Sequence, residues 1–100
     1  MIKHIVMWKL KEFAENKSKA ENLVLLKERL EALKNKISEI QKIEIGINFN
    51  KAEGVFDASL YSEFIDEEAL EKYLNHPEHK KVSEWLSKIR NERAIVDYKE

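Results

Sequence analysis

Apolar and polar residues alternate at the start of the chain, over Met1–Lys11. One side of this stretch carries Ile2, His4, Val6, Trp8 and Leu10. The period of two predicts an extended strand. Ile5 and Met7 add apolar groups to the other side, so we expect a central strand that is covered on both faces.

The spacing then changes to three and four residues, which is typical of a helix with one buried stripe. The stripe consists of Leu23, Leu26, Leu30, Leu33, Ile37 and Ile40. Asn16 and Ser18 are the candidates for its N-cap, and Ser18 with Glu21 fits a capping box. The pattern predicts a helix that packs on a sheet.

Alternation returns in two further stretches, Lys42–Asn50 and Val55–Phe64. The residues between them, Lys51–Gly54, have the composition of a turn. Two strands joined by a short connection predict a β-hairpin.

The last third of the chain predicts two helices and a strand. Asp66 can cap a short helix. His76-Pro77 ends that helix, and Pro77 suits the first position of the next one. Arg93–Lys99 alternates again and predicts a closing strand.

The resulting order, β-α-β-β-α-α-β, indicates an α+β fold of the ferredoxin-like type over residues 1–100, treated as one domain. A four-stranded antiparallel sheet carries its helices on one face. Ile5 and Met7 point to one face and Ile2, Val6 and Trp8 to the other, so the uncovered face is expected to be partly apolar. Because exposed apolar sheet faces indicate a partner, we expect a homodimer with the two sheets face to face.

Composition excludes several classes of protein. The net charge is −1 and cysteine is absent, so neither a nucleic-acid footprint nor a disulfide or thiolate site is expected. No apolar run approaches the roughly 20 residues of a membrane span, and the charged first residues do not resemble a secretory signal. We therefore expect a cytoplasmic protein.

The candidate chemistry lies in the histidines. If the face with His4 is the one under the helices, His4 and His79 can converge there, and Tyr73 can join them. One imidazole could then take a proton while the other, or the Tyr73 hydroxyl, polarises a carbonyl. The cavity around them would be lined by Val6, Trp8, Leu23, Leu26 and Trp85.

Each of these residues also has a purely structural interpretation. His4 can be a hydrogen-bonded core residue, His76 a cap, and His79 a solvated residue in a first helical turn. Trp85 and the leucines can be ordinary core. The spacing of His76 and His79 could present two ligands to one metal ion, with Glu78 or His4 as a third. The pattern lacks a metal-binding motif, and neither a metal nor a cofactor is predicted.

Several segments resemble the stress-responsive A/B barrel (Dabb) family. They are Met1–Lys11, Gly46-Ile47-Asn48, Phe64, Ala69-Leu70, Tyr73, His76-Pro77-Glu78-His79 and Val96-Asp97-Tyr98. The resemblance covers essentially the whole chain. It implies a dimeric α/β barrel with a cavity in each subunit. Plant polyketide cyclases of this family use residues that correspond to His4, His79 and Tyr73, and a second pocket tyrosine of theirs is aliphatic here, at Leu26.

The function that follows is binding of a small apolar, aromatic or polyketide-like ligand, with His4 and His79 as polar anchors and as a candidate acid–base pair. Two alternatives remain open. One is a non-catalytic structural or stress-associated module. The other is a cofactor-free enzyme of the monooxygenase or isomerase type on the same scaffold.

Overall fold

The computed structural model describes residues 1–100 and has two sheets and three α-helices. In chain order the elements are β1 (Ile2–Leu10), β2 (Phe13–Ala14), β3 (Lys17–Ser18), α1 (Lys19–Glu31), a 3₁₀ turn (Ala32–Asn35), β4 (Lys42–Ile47), β5 (Ala58–Phe64), α2 (Glu67–Asn75), α3 (Pro77–Ile89) and β6 (Arg90–Lys99). The main sheet has the antiparallel order β4-β5-β1-β6. The predicted ferredoxin-like α+β fold is confirmed.

Strand β1 is central and sets the two faces of the sheet. His4 lies opposite Ser62 on β5 and Asp97 on β6, so these three residues share one face. That face packs under the helices, where alternate residues of β1 are buried. The other face is uncovered within the subunit, and Met7 is 37% exposed there. Within the single chain, β1 is therefore covered on one face only, and not on both faces as expected from the sequence.

The capping box at the start of α1 is present as predicted. The Glu21 backbone N–H donates to Oγ of Ser18 at 3.2 Å, and the Ser18 N–H donates to Oε1 of Glu21 at 2.9 Å. The predicted extension of this helix to Ile40 is wrong, because α1 ends at Glu31 and a 3₁₀ turn follows. Residues of the later segment are still buried at helical spacing, among them Leu33 and Ile37. Tight turns bury every third or fourth residue too, so the pattern does not show where the helix ends.

A small hairpin, β2–β3, precedes α1 and is absent from the sequence prediction. Its turn residues Glu15 and Asn16 have φ values of 51° and 62°, which suit a two-residue turn with left-handed backbone. The side-chain amide of Asn22 in α1 donates to the Ala14 carbonyl at 3.1 Å. Asn16 is therefore a turn residue and Ser18 alone is the cap.

The hairpin of β4 and β5 has a longer connection than predicted. Strand β4 ends at Ile47 and β5 begins at Ala58, so residues 48–57 form the loop between them. Asp57 fixes the end of this loop: its N–H donates to the Trp8 carbonyl and its Oδ2 accepts from the Leu10 N–H, both at 2.8 Å. The loop therefore rejoins the sheet at a defined point.

Helices α2 and α3 are separated by a single residue. Oδ1 of Asp66 accepts from the Ala69 N–H at 2.8 Å and caps α2. His76 caps α3, since its Nδ1 accepts from the Glu78 N–H at 3.1 Å, and Pro77 is the first helical residue. Both features follow the prediction. None of the helices has the length and apolar character needed to cross a lipid bilayer.

The pairing of β1 with β6 contains one irregularity. Lys9 lies opposite Glu92 and Leu10 opposite Arg90, so Asn91 has no partner across the ladder. This is the arrangement of a β-bulge. Strand β6 thus begins at Arg90 rather than at the predicted Arg93.

Candidate functional site

A small cavity lies between the covered face of the sheet and the helices α2 and α3. Its volume is about 70 Å³. It is lined by His4, Val6, Trp8, Leu30, Leu60, Tyr73, Leu74, His79, Ser83, Leu86, Arg90, Arg93 and Ile95. An apolar cavity of roughly 150 Å³ is known to take benzene. The cavity of this chain therefore has room for a few waters or for a group smaller than a benzene ring.

His4 enters the cavity from β1 and is held by a carboxylate on β6. Nδ1 of His4 lies 2.5 Å from Oδ1 of Asp97. An ionised carboxylate only accepts hydrogen bonds, so Nδ1 carries the proton and a neutral ring keeps its lone pair on Nε2. The His4 ring is buried and the Asp97 side chain is partly exposed. The cavity thus has a fixed imidazole tautomer on its sheet side.

Asp97 is the site residue that the sequence analysis missed. The alternation of β6 already places it on the side opposite Val96 and Tyr98. What the sequence does not give is the register that sets Asp97 directly across from His4. That pairing is a long-range contact between the two ends of the chain.

His79 enters the same cavity from the first turn of α3. Its Nδ1 lies 3.1 Å from the carbonyl of Leu74, in the last turn of α2. A carbonyl only accepts, so Nδ1 is the protonated nitrogen here too. Burial lowers the pKa of His79, the hydrogen bond to Leu74 opposes this shift, and the nearby guanidinium of Arg93 lowers the pKa further. His79 is therefore neutral at neutral pH.

Tyr73 lies close to both imidazoles. Its ring centroid is 6.1 Å from that of His4 and 4.4 Å from that of His79. The residue is 1% exposed, and burial raises the pKa of its hydroxyl well above the usual value. Tyr73 therefore stays protonated and can donate a hydrogen bond. The structure brings His4, Tyr73 and His79 together, as the sequence analysis expected of the three.

The five residues predicted to line the cavity fall into two groups. Val6 and Trp8 line it. Leu23, Leu26 and Trp85 do not: Leu26 is fully buried in the core, Leu23 packs against that core, and the ring of Trp85 stacks on the guanidinium of Arg29 at 4.3 Å. Of the residues of α1, only Leu30 reaches the cavity wall, and Trp85 on α3 is turned towards Arg29 of α1.

His76 stands apart from the site. Its Nδ1 is occupied by the cap hydrogen bond to the Glu78 N–H, and the residue does not line the cavity. No group of three or more histidine and carboxylate side chains in the chain is arranged to hold a metal ion.

A wider groove adjoins the cavity between α2 and the edge strand β6. Its volume is about 350 Å³. It is lined by Ile2, Glu67, Leu70, Glu71, Leu74, Asp97, Tyr98 and Lys99. Leu74 lines both spaces, and Asp97 in the groove holds His4 in the cavity. Leu74 is thus a wall residue common to both spaces.

Fold and cavity together define a ferredoxin-like α+β domain with a histidine-lined cavity beneath its helices. Residues 2–100 match the model of the stress responsive A/B barrel domain, Dabb, and the chain belongs to that family. The resemblance seen in the sequence is confirmed.

Solved structures agree on the fold. A dimeric protein of unknown function with a ferredoxin-like fold from Bacteroides fragilis is 40% identical, with a TM-score of 0.83 over 99% of this chain and 95% of that chain. A hydroxynitrile lyase from Passiflora edulis is 16% identical, with a TM-score of 0.80 over 97% of this chain and 90% of that chain. An antibiotic biosynthesis monooxygenase is 14% identical, with a TM-score of 0.71 over 100% and 98%. The last two similarities show the fold alone. Comparison with curated proteins gave no significant match.

Proposed function

We propose that the cavity binds the carbonyl end of a small molecule and that His4, His79 and Tyr73 carry out proton transfer on it. The observation that carries this proposal is the proximity of the protonated Tyr73 to two imidazoles whose Nδ1 atoms are both occupied. A general base needs a free lone pair and a fixed orientation, and both rings meet that requirement at Nε2.

The simplest reaction of this arrangement is reversible enolisation. The hydroxyl of Tyr73 donates a hydrogen bond to the carbonyl oxygen and so stabilises the negative charge that develops there. Nε2 of one imidazole removes a proton from the adjacent carbon and forms an imidazolium, while the C–H electron pair becomes the enolate double bond. Return of a proton from that imidazolium restores the carbonyl compound. No oxidant, metal or cofactor enters this balance.

The volumes of the cavity and of the adjoining groove limit the size of the ligand. A group smaller than benzene fits the cavity of about 70 Å³, and an aromatic or polyketide-like molecule needs the adjoining groove of about 350 Å³ as well. Such a ligand would pass Leu74, with its reactive carbonyl at the histidines. Fold similarity to a lyase and a monooxygenase is compatible with this proposal, but it does not choose the reaction.

Deuterium exchange tests the proposal without knowledge of the natural substrate. The α-protons of 2-butanone in D₂O, followed by proton NMR, should be lost faster with the protein than without it. His79→Ala and Tyr73→Phe should each reduce the catalysed rate by about a hundredfold or more. The matched control is His76→Asn, which removes an imidazole outside the cavity and keeps an N-cap side chain. Equal exchange rates with and without protein would leave the non-catalytic module as the better interpretation.

We further propose that two copies of the chain associate through the uncovered sheet face. Its centre is apolar, with Val96 57% and Met7 37% exposed. Towards the ends of the face, Lys3 pairs with Glu63 at 3.0 Å and Lys9 with Glu92 at 3.2 Å within the subunit. The apolar centre can therefore be buried without stranding these charges, whereas Lys42 and Glu44 of β4 lie on the same face without an ion pair. The dimeric Bacteroides relative supports this proposal.

A further inference from the structure

Two cationic side chains line the cavity, and no carboxylate does. Arg90 and Arg93 stand at the β6 side, among apolar residues, the two imidazoles, Tyr73 and Ser83. Arg90 is half-buried and Arg93 is exposed. The permanent charges of the lining are thus both positive, and Tyr73 and Ser83 add hydroxyl donors, while the two imidazoles present lone pairs at Nε2. The arginine side of the cavity is therefore complementary to an anion.

Neither guanidinium is neutralised within the chain. Eight lysines form ion pairs with carboxylates, whereas Arg90 and Arg93 form none. Other basic residues also lack an ion pair, so what distinguishes Arg90 and Arg93 is their placement at the cavity. Two unpaired arginines at one cavity keep their hydrogen-bonding positions available to a ligand.

The β-bulge at Asn91 is what brings both arginines to this face. Residues three apart on a regular strand point to opposite sides of the sheet. Because Asn91 has no partner on β1, Arg90 lies opposite Leu10 and Arg93 opposite Trp8. Both therefore face the helices. Bulges often occur beside functional sites, where they redirect a side chain.

We propose that the cavity selects a small organic carboxylate, with Arg90 and Arg93 as its counter-charges. This inference rests on the proposed function, because it names the class of molecule that the same cavity takes. Planar guanidinium groups bind carboxylates through two parallel hydrogen bonds, which a neutral amide cannot reproduce. A cavity of about 70 Å³ limits the carboxylate-bearing end to a few heavy atoms.

The test compares butyrate with butyramide, which has nearly the same shape and no charge. Both are titrated into the protein while the ring resonances of His4 and His79 are followed by NMR. Butyrate should bind about tenfold more tightly than butyramide. Arg90→Gln and Arg93→Gln should each remove most of this preference and leave butyramide binding unchanged. Arg29→Gln is the matched control, since Arg29 stacks on Trp85 away from the cavity.

Each other outcome has a defined meaning. Equal binding of butyrate and butyramide, or a preference for butyrate that survives both arginine variants, overturns the carboxylate assignment. So does tighter, arginine-dependent binding of inorganic phosphate. Dissociation of a dimer by Arg93→Gln with butyrate binding intact also overturns it, since the arginine would then pair across an interface. Failure of 2-butanone exchange alongside arginine-dependent butyrate binding would instead refute the proton-transfer function and retain the carboxylate site.

Discussion

The carboxylate of Asp97 holds Nδ1 of His4 at 2.5 Å, across neighbouring strands from the two ends of the chain. This contact fixes which nitrogen of the His4 ring carries the proton. The role of Asp97 is therefore positioning: it acts on a ligand through the imidazole.

Asp97→Asn should weaken the control that residue 97 exerts over the His4 tautomer, while preserving strand β6. A neutral amide is a poorer acceptor than a carboxylate, so the share of His4 with its proton on Nε2 should rise. We expect the catalysed exchange of 2-butanone to fall by about tenfold or more. The tautomer is read from the ¹⁵N shifts of the ring nitrogens, which a merely structural role would not change. Unaltered ring shifts in the variant would contradict the positioning role.

The lowered pKa of His79 makes stability depend on pH in one direction. Between its native pKa and the ordinary value of about 6.5, the unfolded chain binds more protons than the native one. The free energy of unfolding should therefore fall as the pH decreases through this window. Below the native pKa, His79 should cause no further decrease.

Urea unfolding at pH 7 and pH 5 measures this dependence. His79→Gln should reduce the difference in unfolding free energy between pH 7 and pH 5. His76→Asn should reduce this difference less. An identical pH difference in wild type and His79→Gln would show that the native state does not disfavour protonation of this ring.

The uncovered sheet face predicts a sensitive position at Val96. A lysine there would place an unpaired charge at the apolar centre of the proposed interface. Val96→Lys should raise the dissociation constant of the dimer by about a hundredfold or more, measured by sedimentation. Val24→Lys is the matched control: Val24 is 53% exposed on α1, against 57% for Val96. If the two variants showed the same oligomeric state, the interface would have to lie elsewhere.

The capping box predicts a measurable stability loss. Ser18→Ala removes the acceptor of the Glu21 N–H and should lower the free energy of unfolding by about 1 kcal/mol. Ser38→Ala, at an exposed position after the 3₁₀ turn, should change it by less than about 0.5 kcal/mol. Chemical denaturation compares the two, and equal losses would assign no special role to the cap.

Local patterns in the sequence predicted the features that depend on residues close together in the chain, such as strand alternation and helix starts. The alternation along β1 put His4 on the same side as Val6 and Trp8, which the structure shows to be the covered face. Ser18, Asp66 and Pro77 marked helix starts that the structure confirms. The end of α1 escaped prediction, since no glycine or proline marks it and the buried spacing continues.

The missed parts of the site depend on pairing between distant strands. Asp97 faces His4 only through the register of β1 and β6, and Arg90 reaches the cavity only through the bulge. A spacing of three between Arg90 and Arg93 even favours opposite faces in a regular strand. Cavity size is likewise set by how α1 lies on the sheet, which brings Leu30 rather than Leu23 or Leu26 to the wall.

The loop at 48–57 has a practical consequence. Its tip, residues 51–54, is exposed, and Asp57 anchors the return to the sheet independently of the tip. Each doubling of the length of a flexible loop costs only about 0.6 kcal/mol in closure entropy. An epitope or a fluorescent reporter could therefore be spliced into the tip, giving a labelled protein whose cavity chemistry is untouched.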